Sequence, residues 1–180
     1  PAGFVVPLAV MGLDTLMRRA WPDILVLGAM GAGAAAVFAG WCVAYAGAVG
    51  GGEVLYFLYN QNIGAFFGEG SHQQPVYYYL VNIWLDMLPW SLFLVPGLWL
   101  AGRGARSGRR SDRFLLLWFV VLFVFFSAAG AKRSVYLLPA YPAATLLVSG
   151  ALTRVWRGEG GVSDRWVTVP LYLTCGLLVA

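Results

Sequence analysis

The sequence predicts an all-α fold, a polytopic transmembrane helix bundle with about six spans. Three observations lead there. Of the 180 residues, 60% are hydrophobic and only 11% are charged, against about 45–50% and about 25% in soluble domains. The apolar residues are gathered into runs long enough to cross a bilayer. The arginines, in contrast, are gathered into the connections on one side.

A span needs roughly 20 apolar residues to cross a hydrocarbon core of about 30 Å. Six runs qualify as candidates: residues 1–17, 24–46, 76–101, 114–129, 135–153 and 167–180. In lipid such runs must be helical, because no water is present to pair with their backbone groups. The first starts at Pro1 rather than Met and the last stops at Ala180 within an apolar run, so both are expected to be cut. The second carries a small residue every fourth position, Gly28, Ala32, Ala36 and Gly40, a stripe suited to close helix packing. Pro89 and Pro96 should kink or break the third.

Alternating the spans sorts the connections into two sets. Ten of the 12 basic residues fall in one: Arg18 and Arg19, the stretch from Arg103 to Arg113, and Arg154, Arg157 and Arg165. That side is cytoplasmic by the positive-inside rule, with residues 102–113 as a basic loop. The other set comprises residues 47–75 and the turn 130–134. Lys132 and Arg133 lie in that turn, outside and against the rule. Two readings stand: snorkelling toward headgroups, or an anion site. Ser134 is placed to N-cap a helix starting at Val135, and a helix start with two cations suits a phosphate.

Residues 47–75 form an outer loop with its own helix. Gly50, Gly51 and Gly52 end the second span, and Tyr56, Tyr59, Ile63 and Phe66 then follow helical spacing from Glu53 to Phe67. This reads as a helix lying in the interface. Eight of the nine tyrosines map to the outer half, including Tyr77, Tyr78, Tyr79, Tyr136 and Tyr141. They form either an aromatic belt or the wall of a cavity for a sugar or lipid head. Asp86, near the middle of the third span, shares a face with Asn82. It is a polar packing pair or a proton site. His72, the only histidine, follows Glu69 by three residues. Two ligands fall short of the three protein ligands of a catalytic zinc, and a plain loop histidine is the other reading. Cys42 and Cys175 sit inside apolar runs and define no disulfide or metal. No HExxH, P-loop or readable Ser/His/Asp set is present. Nucleic acid is not expected as a partner, because the arginines occupy short connections between spans.

Three stretches together resemble the lipid-carrier-dependent membrane glycosyltransferases of the GT-C class, in particular the protein-mannosyltransferase-like and aminoarabinose-transferase-like groups. One is Asn62-Ile63-Gly64 followed by His72, Pro75, Tyr78 and Tyr79. Another is Leu88-Pro89-Trp90-Ser91. The most specific is Phe126-Ser127, then Lys132-Arg133-Ser134-Val135-Tyr136-Leu137-Leu138-Pro139, then Tyr141-Pro142. Gln61, Ala65 and Ser134 depart from the family pattern, which often has an acid, an arginine and a proline there.

The resemblance implies that the chain is part of one transmembrane glycosyltransferase domain covering the later half of the family's membrane region. It implies transfer of a sugar from a polyprenyl phosphate such as undecaprenyl phosphate to a lipid, protein or glycan acceptor. The setting would be the outer face of a bacterial inner membrane, among membrane lipids. The family's catalytic aspartate lies in an early outer loop, upstream of these residues, so no catalytic base is assigned. Lys132, Arg133 and Tyr136 are implied donor-phosphate contacts, and Tyr78 and Tyr79 candidate cavity residues. His72 matches a family position near the metal or the donor, which makes a divalent metal the one cofactor to consider. A transporter or flippase of an anionic lipid or lipid-linked sugar, with Asp86 as proton site, is the alternative.

Overall fold

The computed structural model describes residues 2–67, 73–159, 163 and 165–179. Its helices, in chain order, are α1 (Ala2–Arg18), α2 (Trp21–Val49), α3 (Gly51–Leu58), α4 (Ala65–Phe67), α5 (Tyr78–Asp86), α6 (Leu94–Arg106), α7 (Arg110–Ala128), α8 (Tyr141–Trp156) and α9 (Arg165–Val179). A π-helical turn, Tyr59–Gly64, joins α3 to α4, and 3-10 turns at Trp90–Phe93 and Ser134–Ala140 precede α6 and α8. Among the described residues the only β pairing is an isolated bridge, Gln73 to Ala131. The all-α expectation is met, and every predicted span falls on helix.

The spans differ in detail from the expectation. Among the described residues, three segments are long and apolar enough to cross a membrane alone: Trp21–Val49, Arg110–Ala128 and Ser134–Trp156. The third predicted span is not one helix. It breaks between α5 and the Trp90 turn with a bend of 115°. Pro89, whose peptide bond with Leu88 is cis, sits at the break, and a proline removes the N–H that helix continuation needs. α1 and α9, with 17 and 15 residues, are shorter than a full span. The predicted basic loop 102–113 is mostly helix: α6 runs to Arg106 and α7 starts at Arg110. Arginine and alanine favour helix, so the helices continue past the apolar run. Ser107 closes α6 by donating its hydroxyl to the Gly104 carbonyl at 2.9 Å.

The chain divides into two compact units. The first comprises residues 1–76 and 125–133. In it α1 and α2 form a hairpin through Arg19 and Ala20. Arg18 clasps the turn, pairing with Asp14 at 2.7 Å and Asp23 at 3.0 Å. The bond to Asp14 is the main reason its pKa lies above the ordinary arginine value. The expected small-residue stripe of α2 does not make this contact: Gly28 and Gly40 face open space, and only Gly31 meets Leu8. The glycine run also works differently from the expectation. Gly50 alone breaks the helix, at φ 98°, a conformation that costs a glycine little. Gly51 and Gly52 already belong to α3, which folds back so that Phe57 meets Trp41 and Tyr45. The predicted interfacial helix is therefore continuous from Gly51 to Phe67, with the π turn at its centre. Its buried side is Val54 and Gly64, while Tyr56, Tyr59 and Ile63 are exposed. The exposed side is therefore largely apolar.

The second unit comprises residues 77–124 and 134–180. Its centre is the α6–α8 pair. Ala143, Ala144, Leu147, Val148 and Ala151 form one buried face of α8, opposed by Gly97, Leu100 and Ala101 of α6. Gly97 lets the backbones touch: a Cβ there would lie 3.0 Å from the Leu147 carbonyl oxygen. Small residues at helix contacts are how membrane helices gain packing without a hydrophobic drive from water. At one end a polar latch closes the unit. Arg154 of α8 donates to the Asp112 carboxylate of α7 and, at 3.1 Å, to the Leu100 carbonyl of α6. Asp112 lies in the space a side chain on Gly104 would need.

Two substitutions test this packing. Gly97→Leu should force α6 from α8 and cost about 1–3 kcal/mol, read as a lower unfolding midpoint in detergent. Arg154→Leu strands the buried Asp112 carboxylate and should cost about 3–5 kcal/mol; the double change Arg154→Leu, Asp112→Leu should recover much of that loss.

Candidate functional site

The turn after α7 is held by backbone pairing on three sides. The Gly130 N–H donates to the Phe66 carbonyl at 2.7 Å, and the Gln74 N–H donates to the Gly130 carbonyl at 3.3 Å. Gln73 and Ala131 form the antiparallel bridge. Below them Phe66 packs on Phe125 with ring centroids 5.6 Å apart. The reason is local: glycine and alanine at 130 and 131 put no bulky side chain in the way, so two irregular segments can approach and satisfy each other.

Lys132 completes this arrangement. Only 3% of its surface is exposed. Its ammonium donates to the Gln74 carbonyl at 3.0 Å and to the Ala129 carbonyl, the latter just past the end of α7. An ammonium has three N–H donors, so one remains for another acceptor. Burial pushes the Lys132 pKa below its ordinary value. Snorkelling would carry the ammonium out to water; here it turns inward onto carbonyls. Arg133, next in sequence, is exposed. A buried cation tied to backbone beside an exposed one gives a turn of fixed shape with positive charge at its surface. Such an arrangement can receive an anion with little rearrangement. Ser127, one turn upstream, has a buried hydroxyl with no partner among the described residues.

The helix start expected at Val135 differs. Ser134 is itself the first residue of a 3-10 turn that runs to Ala140, and α8 begins only at Tyr141. Pro139 and Pro142 explain this, since neither can donate to the α-helical ladder. Ser134 therefore caps no α-helix, and the helix-terminus part of the anion site falls away. Tyr136 sits in the 3-10 turn with 38% of its surface exposed. Tyr79 is wholly buried in the core of the second unit, its ring edge-on to the half-buried Tyr78 at 5.2 Å. Tyr79 is thus a packing residue in this unit, and Tyr78 keeps the freer surface. His72 and Glu69 lie outside the described residues. Among the described residues no group of three metal-ligating side chains occurs, so no step is assigned to a metal.

Asp86 does not sit where the sequence places it. It is the last residue of α5, at the bend, and accepts a hydrogen bond from the Tyr141 hydroxyl at 2.9 Å. Asn82 turns to its own helix, donating to the Tyr78 carbonyl at 2.7 Å. The pair expected to act together is split, and Tyr141, 55 residues away, is the true partner. Sequence reading also missed Gln74, whose role is carried by its backbone carbonyl and leaves no side-chain signal. The Asp112–Arg154 pair was likewise hidden among the many charges of the connections.

Several apolar helices of spanning length define a multi-pass membrane protein. Over most of its length the chain is similar to bacterial membrane transferases. It is 35% identical over 136 residues to the undecaprenyl phosphate-alpha-4-amino-4-deoxy-L-arabinose arabinosyl transferase 2 of Proteus mirabilis, covering 74% of this chain and 24% of that protein. A transferase with the same description in Wigglesworthia glossinidia brevipalpis is 35% identical over 97 residues, 53% of this chain and 17% of its own length. An uncharacterized protein of Aquifex aeolicus is 32% identical over 155 residues, 84% of this chain and 30% of that one. The chain spans between 17% and 30% of the length of these relatives. No family model and no solved structure matches it. The resemblance to lipid-carrier-dependent glycosyltransferases read from the motifs is borne out.

The staple formed by Lys132 is testable by hydrogen exchange. Lys132→Met removes a charged donor from two carbonyls, a bond class worth about 1.5–3 kcal/mol. The Gln74 and Gly130 amides should then exchange about tenfold faster or more, with the amides of α8 unaffected.

Proposed function

We propose that this chain contributes the donor-phosphate region of an integral-membrane glycosyltransferase, which moves a sugar from a polyprenyl-phosphate carrier to an acceptor at the outer face. The observation that carries the reading is the buried Lys132 beside the exposed Arg133 in a backbone-fixed turn. It lies in the stretch whose motif resembles the family, and relatives named as undecaprenyl phosphate arabinosyl transferases support the carrier class.

The chemistry follows from where charge develops. The sugar's anomeric carbon leaves the carrier phosphate, and that bond's electron pair ends on a phosphate oxygen. A cation held against that oxygen gains most when the charge is greatest, so it stabilises the transition state more than the bound donor. Lys132 would act in two ways: its carbonyl bonds hold the turn, and its third N–H reaches the phosphate. Arg133 would add a planar fork matched to phosphate oxygens. Tyr136 could supply one more donor from the following 3-10 turn. The sugar is a pentose or hexose and the acceptor a lipid, protein or glycan; the relatives' names, which mention arabinose, favour a pentose.

The test uses the full-length protein with an undecaprenyl-phosphate sugar at limiting concentration. Arg133→Gln leaves the Lys132 staple intact and should lower transfer by about 10²-fold, the scale of one lost oxyanion-type donor. Unchanged transfer in Arg133→Gln together with a merely less stable Lys132→Met would make the turn structural only. A pH profile gives a second check. The Lys132 cation is the active form and burial lowers its pKa. Donor-limited rate should therefore fall as pH rises toward the ordinary lysine value, ahead of a free lysine. Lys132→Arg, charged throughout, should flatten that fall.

A further inference from the structure

The cytoplasmic end of the second unit carries a different constellation, unrelated to the outer turn. A cavity of about 160 Å³ is lined there by Arg103, Arg109 and Arg154, with Gly104, Ser107 and Glu159. Two of these charges are already used. Arg154 is committed to Asp112 and the Leu100 carbonyl, and Glu159 faces Arg157 at 3.8 Å. Neither Arg103 nor Arg109 makes an ion pair among the described residues. The Arg103 guanidinium lies over the Trp99 ring, 5.0 Å from its centroid. Trp99 in turn stacks on Trp166 of α9 at 5.2 Å. Beyond Trp166 lies a second, larger cavity of about 370 Å³, walled by Leu92, Val95, Pro96, Val169 and Pro170, with Arg165 among its residues.

Helical spacing joins the two cavities. Val95, Trp99 and Arg103 are four residues apart on α6 and so share one face. Along that face the surface changes from apolar groove, through a tryptophan pair, to a cationic pocket. This order matches a phospholipid lying along the membrane normal: hydrocarbon, then interface, then phosphate. Tryptophan at headgroup level and arginine just beyond it are the residues that anchor such a boundary, and a guanidinium fork fits a phosphodiester. Basic pockets between spans on the cytoplasmic side are favourable sites for anionic lipid heads.

We propose that this face binds one anionic phospholipid of the inner leaflet, its phosphate between Arg103 and Arg109 and an acyl chain in the groove of Leu92, Val95 and Val169. The pocket's uncommitted positive charge sets the preference for an anionic over a zwitterionic head.

The experiment uses the full-length protein, delipidated in neutral detergent, and lipids with brominated acyl chains that quench nearby tryptophan. The probes are brominated phosphatidylglycerol and phosphatidylcholine with identical chains. The quenching that disappears in Trp99→Phe, Trp166→Phe belongs to this site. In the wild type, phosphatidylglycerol should half-quench it at a clearly lower concentration than phosphatidylcholine. Arg103→Gln and Arg109→Gln should each weaken that preference about fivefold, while Arg103→Lys should retain most of it. Equal quenching by the two lipids overturns the proposal, as does a preference that survives both glutamine changes. A third arm adds inorganic phosphate at the ionic strength of a chloride control. No displacement beyond chloride is expected; displacement of phosphatidylglycerol by phosphate alone would assign the pocket to the free anion and overturn the lipid reading.

Discussion

Where this chain leaves a helix in a buried place, its backbone must find partners inside the protein, because an unpaired buried N–H or carbonyl is costly. That requirement governs the turn after α7. Ala129 lies just past the end of α7, so its carbonyl falls outside the regular helical ladder. Lys132 supplies the missing donor and, with the same ammonium, caps the Gln74 carbonyl. Gly130 and Gln74 pair through their backbones around it. One side chain therefore settles the shape of a non-helical segment that would otherwise be costly. Its charge is a consequence of needing several donors at one point.

The same requirement explains the polar latch of the second unit. Asp112 and Arg154 are both largely shielded, and an isolated buried charge would be expensive. They survive because each answers the other and because Arg154 also satisfies a carbonyl of α6. Gly104 and Gly97 belong to the same solution. The absence of a side chain at these two positions lets a carboxylate and a carbonyl approach α6 closely enough to be useful. Packing and polarity are thus coupled along the α6–α8 pair: small residues bring the helices together through the membrane, and a polar clasp fixes their ends.

Arginines differ in how firmly the fold holds them. Arg103 and Arg109 are exposed, and Arg103 lies over the Trp99 ring, whereas Arg154 is tied to Asp112 and to a backbone carbonyl. The 115° bend near Pro89 shapes the second unit further. It ends α5 early and leaves Asp86 beside the start of α8, where Tyr141 can reach it.

The sequence by itself determined the all-α class and the presence of apolar helices of membrane-spanning length. These depend on apolar run length, which is a one-dimensional quantity. It also singled out Lys132 and Arg133, because two cations on the wrong side stand out in a simple count. Tertiary structure alone decided what Lys132 touches, that Asp86 pairs with Tyr141 and not Asn82, and that Tyr79 is a core residue. It also decided that the span through Pro89 is bent and that α8 starts at Tyr141, not Val135. The physical reason is the same in each case. These outcomes depend on backbone carbonyls and on contacts between residues some 40 to 60 positions apart, such as Lys132 with Gln74 and Arg154 with Asp112. Backbone groups are identical at every position, so no residue code announces which of them will need a partner.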